Sequence, residues 1–308
     1  MNVKIERFDQ AFFMLDSNHI QDGLLQLNQE FPYFLNDFMV NIVGTSPLSD
    51  TSMNSFIACR AFLTSYLPVK DSISLKFKNM QGIENDLKKG FQYIRYYFPS
   101  YQLPPKVVSY IGPFDAPGVA LTRYTLAIGL QLYAGRDFSF YHSAQGQDLF
   151  PLYISRRFEP EYVVPNCMKA MEEDIFPDQT QGKPLVEQMI EKGKYWWLLG
   201  ELLPETSDTL KTGFTEKQLD WCKHNEGQIW NFFLQNDPYT IDPEQIKAYI
   251  GDAPYTQGMP EASPGNIGQW VGWQIVQKYA ALHPDMPLDS LMKTPDRVIL
   301  DDVKYKPK

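Results

Sequence analysis

The stretch SPGNIGQWVGWQIVQKYAAL, residues 263–282, places three glycines at the start of an apolar segment with helical spacing. Gly268 and Gly272 are four residues apart, so they share one face of the predicted helix, and Ile275 and Tyr279 extend that face. A helix face without side chains allows the backbone to approach a neighbouring element closely. We therefore predict that this segment is a packing helix of the core.

The loop before this helix allows a second interpretation. Ser263 can cap the helix, and Pro264 suits its first turn. The backbone amides of Gly265 and Asn266 would then lie exposed at a helix N-terminus, where anionic ligands bind. On this alternative, Asn266 is a candidate binding residue.

Working outward from this helix, the hydrophobic periodicity predicts an α+β protein that is mostly helical with a small mixed β-sheet. Strands are expected at 3–8, at 106–112 and within 118–135, the last two being adjacent and joined by the turn PFDAPG. Helices are predicted at 19–31, 34–43, 54–67, 80–98, 164–176, 184–201, 215–236, 243–249 and 267–282.

The end of the chain and its domain organisation are predicted from the same pattern. The tail RVILDDVKYKPK, residues 297–308, is expected to hold one short extended piece. Because no break in composition marks a boundary, we predict a single domain over 1–308. Its N-terminal helices and small sheet would occupy about 1–162, and its helical part about 163–308.

Composition excludes several classes of protein. The 308 residues carry a net charge of −9, which disfavours a nucleic-acid binder because such proteins need a basic face. The three cysteines are far apart in sequence and are expected to be buried small side chains. No apolar run is long enough to span a membrane. Since the N-terminus has no apolar signal-peptide core, we expect either a cytoplasmic protein or a mature chain whose export signal has been removed.

Motifs for common catalytic chemistry are also missing from the sequence. There is no GxSxG, and no phosphate-binding or dinucleotide fingerprint stands in the required context. No two of the four histidines are within five residues of each other, so the helical histidine pair of many zinc peptidases is absent. We therefore predict no cofactor and no metal site.

Two carboxylates remain as candidates for acid–base chemistry. Glu191 lies in the predicted helix LVEQMIEKGKYWWLLGELL, where it shares a face with Glu187, and Glu226 lies between Trp221 and Trp230. A carboxylate on a tryptophan-rich helix can be partly buried, which would raise its pKa. Exposed or structural roles are the alternative for both residues.

Several segments together resemble the gliding motility-associated lipoprotein GldB family. The segments that carry the resemblance are FPYFLNDF (31–38), LAIGLQLYAGRDFSFY (126–141), FPLYISRRFEPEYVV (150–164), MIEKGKYWWLLGELLPE (189–205), GFTEKQLDWCKHNEGQIWNFF (213–233), APYTQGMPEASPGNIGQWVGWQIVQKY (253–279) and VKYKPK (303–308). The resemblance implies an exported lipoprotein of the cell envelope that faces the periplasm and is linked to gliding motility and its secretion machinery. It also implies membrane attachment only through a lipid anchor on an N-terminal cysteine, which this sequence does not contain.

The family is in turn distantly similar to gluzincin-type zinc peptidases, in which one helix carries HExxH and a second helix supplies a glutamate ligand. In this chain the first helix would be VVPNCMKAMEEDIF (163–176), which contains no histidine. The second would be the helix of MIEKGK, leaving Glu191 as a ligand without a metal. The resemblance thus implies a zincin-like fold that has lost its metal site. We name Asn166, Glu191, Trp196 and Asn266 as candidate binding residues.

Two functional hypotheses follow. The first is a non-catalytic envelope protein that uses its cleft or aromatic surface to bind a protein or glycan partner; a scaffold of a complex cannot be separated from it by sequence. The second is a hydrolase of cell-wall or glycan material in which Glu191 and Glu226 are the catalytic pair. Two carboxyl groups across an open groove would favour the hydrolase, and burial of either in salt bridges would disfavour it.

Overall fold

The computed structural model describes residues 2–50 and 53–307. Internal contacts divide the chain into two compact units. Unit 1 consists of Met1–Gln92 and Gln102–Ala170, and unit 2 consists of Tyr93–Tyr101 and Met171–Lys308. Both units are therefore discontinuous in sequence. The assignment of the whole chain to one domain stays a prediction.

The sheet lies in unit 1 and has four strands in the order β1-β2-β4-β3. Its strands are β1 (Ile5–Arg7), β2 (Lys106–Tyr110), β3 (Val119–Leu121) and β4 (Thr125–Gly129). The pairs β1–β2 and β2–β4 are parallel, whereas β3 pairs with β4 as an antiparallel edge strand. The central strands β2 and β4 are almost continuously buried, as expected for parallel strands covered on both faces.

The sheet confirms the small mixed sheet of the sequence analysis and corrects one detail. The segment 118–135 holds two strands rather than one, and the turn PFDAPG leads into the edge strand β3. The neighbour of β2 is β4, which runs parallel to it. A tight turn cannot join parallel neighbours, so the chain passes through β3 before it returns beside β2.

Helices fill the rest of unit 1. In chain order the α-helices between residues 8 and 175 are α1 (Phe8–Phe13), α2 (Ile20–Glu30), α3 (Leu35–Asp37), α4 (Met53–Lys76), α5 (Gln81–Tyr97), α6 (Ala144–Leu149), α7 (Leu152–Ser155) and α8 (Val163–Ile175). A π-helix, Phe38–Ile42, continues α3. The last residues of α5 and α8 belong to unit 2. The predicted helices at 19–31, 34–43, 80–98 and 164–176 are confirmed, and the one at 54–67 extends to Lys76 through Pro68.

Phenylalanines form the centre of unit 1. Phe8 is fully buried, and its ring centroid lies 4.9 Å from that of Phe34 and 4.8 Å from that of Phe38. Phe12 and Phe31 complete this cluster, mostly in edge-to-face geometry. The cluster places α1 and the α3 segment together.

Unit 2 is helical. Its helices are α9 (Leu185–Leu202), α10 (Asp208–Thr212), α11 (Glu216–His224), α12 (Glu226–Gln235), α13 (Pro243–Ile250), α14 (Ile267–Leu282), α15 (Leu288–Lys293) and α16 (Asp296–Val303). The predicted helices at 184–201, 243–249 and 267–282 are confirmed. The one predicted at 215–236 is two helices, because the chain leaves the helical conformation at Asn225.

The core of unit 2 is built on α9 and α14. A Cβ at Gly272 would lie 1.7 Å from Met189 O, and one at Gly193 would lie 2.2 Å from the Gly272 carbonyl carbon. Only glycine at both positions allows these two backbones to approach so closely. The prediction that the glycines of the 263–282 stretch serve helix packing is thus confirmed.

Two sequence-based expectations in unit 2 are wrong. Ser263 does not cap α14; it is buried and its hydroxyl accepts a hydrogen bond from Thr256 N, while Asn266 in a left-handed conformation precedes the helix. The tail is not extended over 297–303, since those residues belong to α16, whose Ile299 and Val303 are buried at helical spacing. Lys308, the last residue of the predicted extended tail, lies outside the described residues.

Candidate functional site

One face of α9 carries charged side chains although most of the helix is buried. Glu187, Glu191 and Lys194 are spaced by four and three residues, so they lie on the same face, and Lys183 precedes the helix. The opposite face packs against α14 through Gly193. Helix α9 therefore holds these charged groups in fixed positions.

Four of the charged groups in this region form what we call the lysine–carboxylate cluster: Lys183, Glu191, Lys194 and Asp296. Lys194 Nζ lies 3.2 Å from Glu191 Oε2 and 2.7 Å from Asp296 Oδ1, and it donates to Thr294 O at 2.7 Å. Lys183 Nζ lies 2.6 Å from Asp296 Oδ2 and 3.6 Å from Glu191 Oε2. The Lys194–Asp296 contact is an ion pair rather than a hydrogen bond, since Asp296 Oδ1 receives no donor at a suitable angle from the described residues.

Burial gives the cluster its electrostatic character. Lys194 is 3% exposed, Asp296 is 2% exposed and Glu191 is 7% exposed. Burial raises the pKa of Glu191, and the neighbouring Asp296 carboxylate adds to this, while the two ammonium groups oppose it. For Lys183, burial alone would lower the pKa, but the hydrogen bond and charge of Asp296, together with Glu191, outweigh it and raise the pKa.

A cavity of about 480 Å³ opens above the cluster. Charged side chains line one part of it, and Ile175, Phe176 and Met292 supply an apolar wall. This volume is in the range of small-molecule and side-chain pockets, which combine apolar walls with a few placed polar groups. The cavity with the cluster at its base is the candidate functional site.

Comparison with known proteins gives the chain a family. The family model described as gliding motility protein GldB matches residues 1–307. The chain belongs to this family. Membership links this GldB-family protein to gliding motility, and the family's designation as a lipoprotein places it with the cell envelope. No curated protein and no solved structure matches the chain.

Of the candidate residues in this GldB-family protein, only Glu191 lines the cavity. Glu226 is half-buried at the start of α12, and its carboxylate accepts a hydrogen bond from the Tyr305 hydroxyl. Trp196 is buried in the core of unit 2, where its ring packs edge-on against Phe214 and Trp273.

The two candidate asparagines are engaged elsewhere. Asn166 lies in unit 1, where its side-chain amide donates to the Tyr133 hydroxyl at 3.0 Å. Asn266 is buried in unit 2, and its side-chain amide lies 3.3 Å from Asp252 Oδ1. Gly265 beside it is buried too, and a Cβ there would lie 2.1 Å from Ala253 O. The backbone at this N-terminus is therefore covered by the protein itself.

Sequence reasoning missed three members of the cluster. Lys194 carried a usable signal, since the i+3 spacing of Glu191 and Lys194 on a helix brings opposite charges together, whereas Lys183 lies before the helix and gave no such signal. Asp296 could not be found in this way, because its approach to α9 depends on the packing of α16, a helix that the sequence did not predict.

Neither a metal-binding group of side chains nor a membrane-spanning helix occurs in the part of the chain that the structure describes. Among residues 2–50 and 53–307, no group of three or more His, Cys, Asp or Glu side chains is arranged to hold a metal ion. Over the same residues, no helix combines the length and apolarity needed to cross a membrane. The three cysteines are buried and not disulfide-bonded, as expected.

Proposed function

We propose that this GldB-family protein is a non-catalytic lipoprotein of the periplasm-facing cell envelope that binds a protein or glycan partner, and that its fold is a zincin-like fold without its metal site. The order of elements supports the zincin-like part of this proposal. After the sheet and the short helices α6 and α7, the chain forms α8, which has no histidine, and then α9, which carries Glu191.

The observation that carries the proposal is the position of two ammonium groups beside Glu191. In a gluzincin, the carboxylate at this place would face a metal cation. In this chain, Lys194 Nζ at 3.2 Å and Lys183 Nζ at 3.6 Å supply the positive charge instead. A carboxylate already paired with two ammonium groups is poorly suited to bind a further metal cation.

The same contacts weigh against the alternative, a carboxylate-based hydrolase of cell-wall or glycan material. Glycoside hydrolysis needs two carboxyl groups that both face the scissile bond. Glu191 is held in ion pairs, and Glu226 accepts a hydrogen bond from Tyr305 rather than lining the cavity of Glu191. Binding is therefore the better-supported role.

Elemental mass spectrometry of tag-free protein, combined with cleavage assays on a peptide library and on purified cell wall, tests the proposal. We expect no stoichiometric zinc and no cleavage of either material. The Glu191→Gln and Glu226→Gln variants serve as controls, since cleavage that either variant lowers comes from the protein itself rather than from a contaminant. One zinc per chain together with chelator-sensitive peptidase activity would overturn the proposal, and so would release of sugars that Glu226→Gln abolishes.

A further inference from the structure

The charges that line the cavity above the lysine–carboxylate cluster are almost all paired. The cluster itself balances two ammonium groups with two carboxylates. At the mouth, Lys293 pairs with Asp289 at 2.8 Å and Arg297 with Asp301 at 3.1 Å, each across one helical turn. Among the charged residues that line the cavity, only Glu187 has no ion pair in the part of the chain that the structure describes.

Glu187 is half-buried in the first turn of α9 and lines the cavity. Among residues 2–50 and 53–307, its carboxylate has no ion pair and no hydrogen bond. Glu191 lies one turn further along the same helix face and lines the same cavity. Since Glu191 is already paired with two ammonium groups, Glu187 is the carboxylate available to a cation that enters the cavity.

The walls of the cavity determine what kind of cation it suits. Ile175, Phe176 and Met292 are apolar, so they favour a ligand with a hydrocarbon part next to its charge. A small hydrated ion has no such part. The aliphatic stem of a lysine or arginine side chain would cover the apolar wall, while its charged head would reach Glu187.

The charge of the whole protein favours the same sign of ligand. With a net charge of −9, the protein attracts cationic partners at long range and repels anionic ones.

We propose that the cavity above the lysine–carboxylate cluster binds a basic side chain of a protein partner, with its charged head beside Glu187 and its stem against Ile175, Phe176 and Met292. This inference rests on the proposed binding function and names the chemistry of its partner. It makes the partner a protein that presents an exposed lysine or arginine.

A titration followed by NMR tests this inference on the full chain. Met292 lines the cavity, so a ¹³C-labelled methionine methyl group reports on its contents, and Met292→Leu identifies its signal among the 11 methionines. The probe is Nα-acetyl-lysine N-methylamide at constant ionic strength. The uncharged norleucine analogue and sodium acetate serve as comparison ligands.

We expect the Met292 signal to move saturably with the lysine probe and to move far less with either comparison ligand. Glu187→Gln should weaken the lysine response about fivefold, as expected for a partly exposed charge pair. The matched control is Glu244→Gln, which removes an exposed carboxylate from the first turn of α13 and should leave the response unchanged.

An equal response to lysine and norleucine would overturn the inference, because it would show apolar binding alone. A response to acetate without one to lysine would overturn it in favour of an anion site. An unchanged affinity in Glu187→Gln would do the same. None of these results depends on turnover or zinc content, so the inference can fail while the proposed non-catalytic function stands.

Discussion

Gly272 lies where α14 approaches α9 most closely, and the smallest side chain would already collide with Met189 O. We expect Gly272→Ala to lower the free energy of unfolding by about 1 to 3 kcal/mol, because the two helices must separate to admit the methyl group. Gly200→Ala on α9 is the matched control, since a Cβ there has no atom within 4 Å. That change should stabilise the protein by about 0.5 to 1 kcal/mol through helix propensity. Urea unfolding measures both, and equal effects would contradict the packing role.

Glu191 makes the stability of the folded chain depend on pH in a defined direction. Its folded-state pKa is raised above 4.5, so the folded protein retains this proton more readily than the unfolded chain does. The resulting stability is fully present below about pH 4.5 and is lost as the pH rises through the folded pKa. Relative to Glu191→Gln, which cannot titrate, the wild type should lose stability as the pH is raised from 4.5 to 7. Urea midpoints at a series of pH values give this difference, and a gap that is constant or that changes in the opposite sense would contradict the assignment.

At the residue scale, sequence reasoning identified the packing glycines and Glu191 but not the partners of Glu191. The glycines were identifiable because a four-residue spacing on a helix is a local pattern. The Asp296 contact joins residues more than 100 positions apart, and no local pattern records it. Nor does the sequence show that the Asn166 side chain donates a hydrogen bond to a tyrosine hydroxyl and the Asn266 side chain donates one to an aspartate carboxylate.

Among the elements, α11 shows how a local signal fixes a helix start. Thr215 accepts a hydrogen bond from Gln218 N at 3.2 Å, and the Gln218 side chain accepts one from Thr215 N at 3.0 Å, which completes a capping box. Thr215→Ala should cost about 1 kcal/mol of stability. Ser207 precedes α10 without a side-chain bond to the helix backbone, so Ser207→Ala should cost at most a few tenths of a kcal/mol. Thermal melts of the two variants compare them directly, and equal losses would rule out the capping role.

Sequence patterns predicted most of the long elements and missed those that depend on distant contacts. The helices α2 and α5 have strong internal periodicity, and β2, β4, α9 and α14 are rich in apolar residues, so the existence of these elements follows from local sequence. Local sequence does not show which strand lies beside β2, because strand order is set by packing of the whole sheet. Helix α16 was missed because its consecutive β-branched residues Val298 and Ile299 favour a strand, and only its burial in unit 2 selects the helix.

For the whole molecule, all six tryptophans lie in unit 2, so tryptophan fluorescence reports on that unit alone. Phe98 belongs to unit 2 although it is distant in sequence, and its ring packs edge-on against Phe176 at 5.3 Å. Phe98→Ala should lower the stability seen by tryptophan fluorescence by about 3 to 5 kcal/mol, because the side chain is buried. Tyr96→Ala alters a side chain that is 77% exposed, so the stability measured in the same way should stay within about 0.5 kcal/mol of the wild type. An unchanged fluorescence midpoint in Phe98→Ala would place the 93–101 segment outside unit 2.

The discontinuous course of the chain also sets an order for its synthesis. Ribosomes release the N-terminal end first, and compact units fold as soon as their last segment has emerged. Unit 1 is complete once residue 170 has left the ribosome. At that point the 93–101 segment has been made, but the rest of unit 2 has not. Unit 2 must wait for α16, whose Asp296 joins the lysine–carboxylate cluster almost at the end of the chain. Phe98 and Tyr101 meet their partners Phe176 and Asp174 soon after residue 170 is made, but the unit to which the 93–101 segment belongs stays incomplete until α16 has been made.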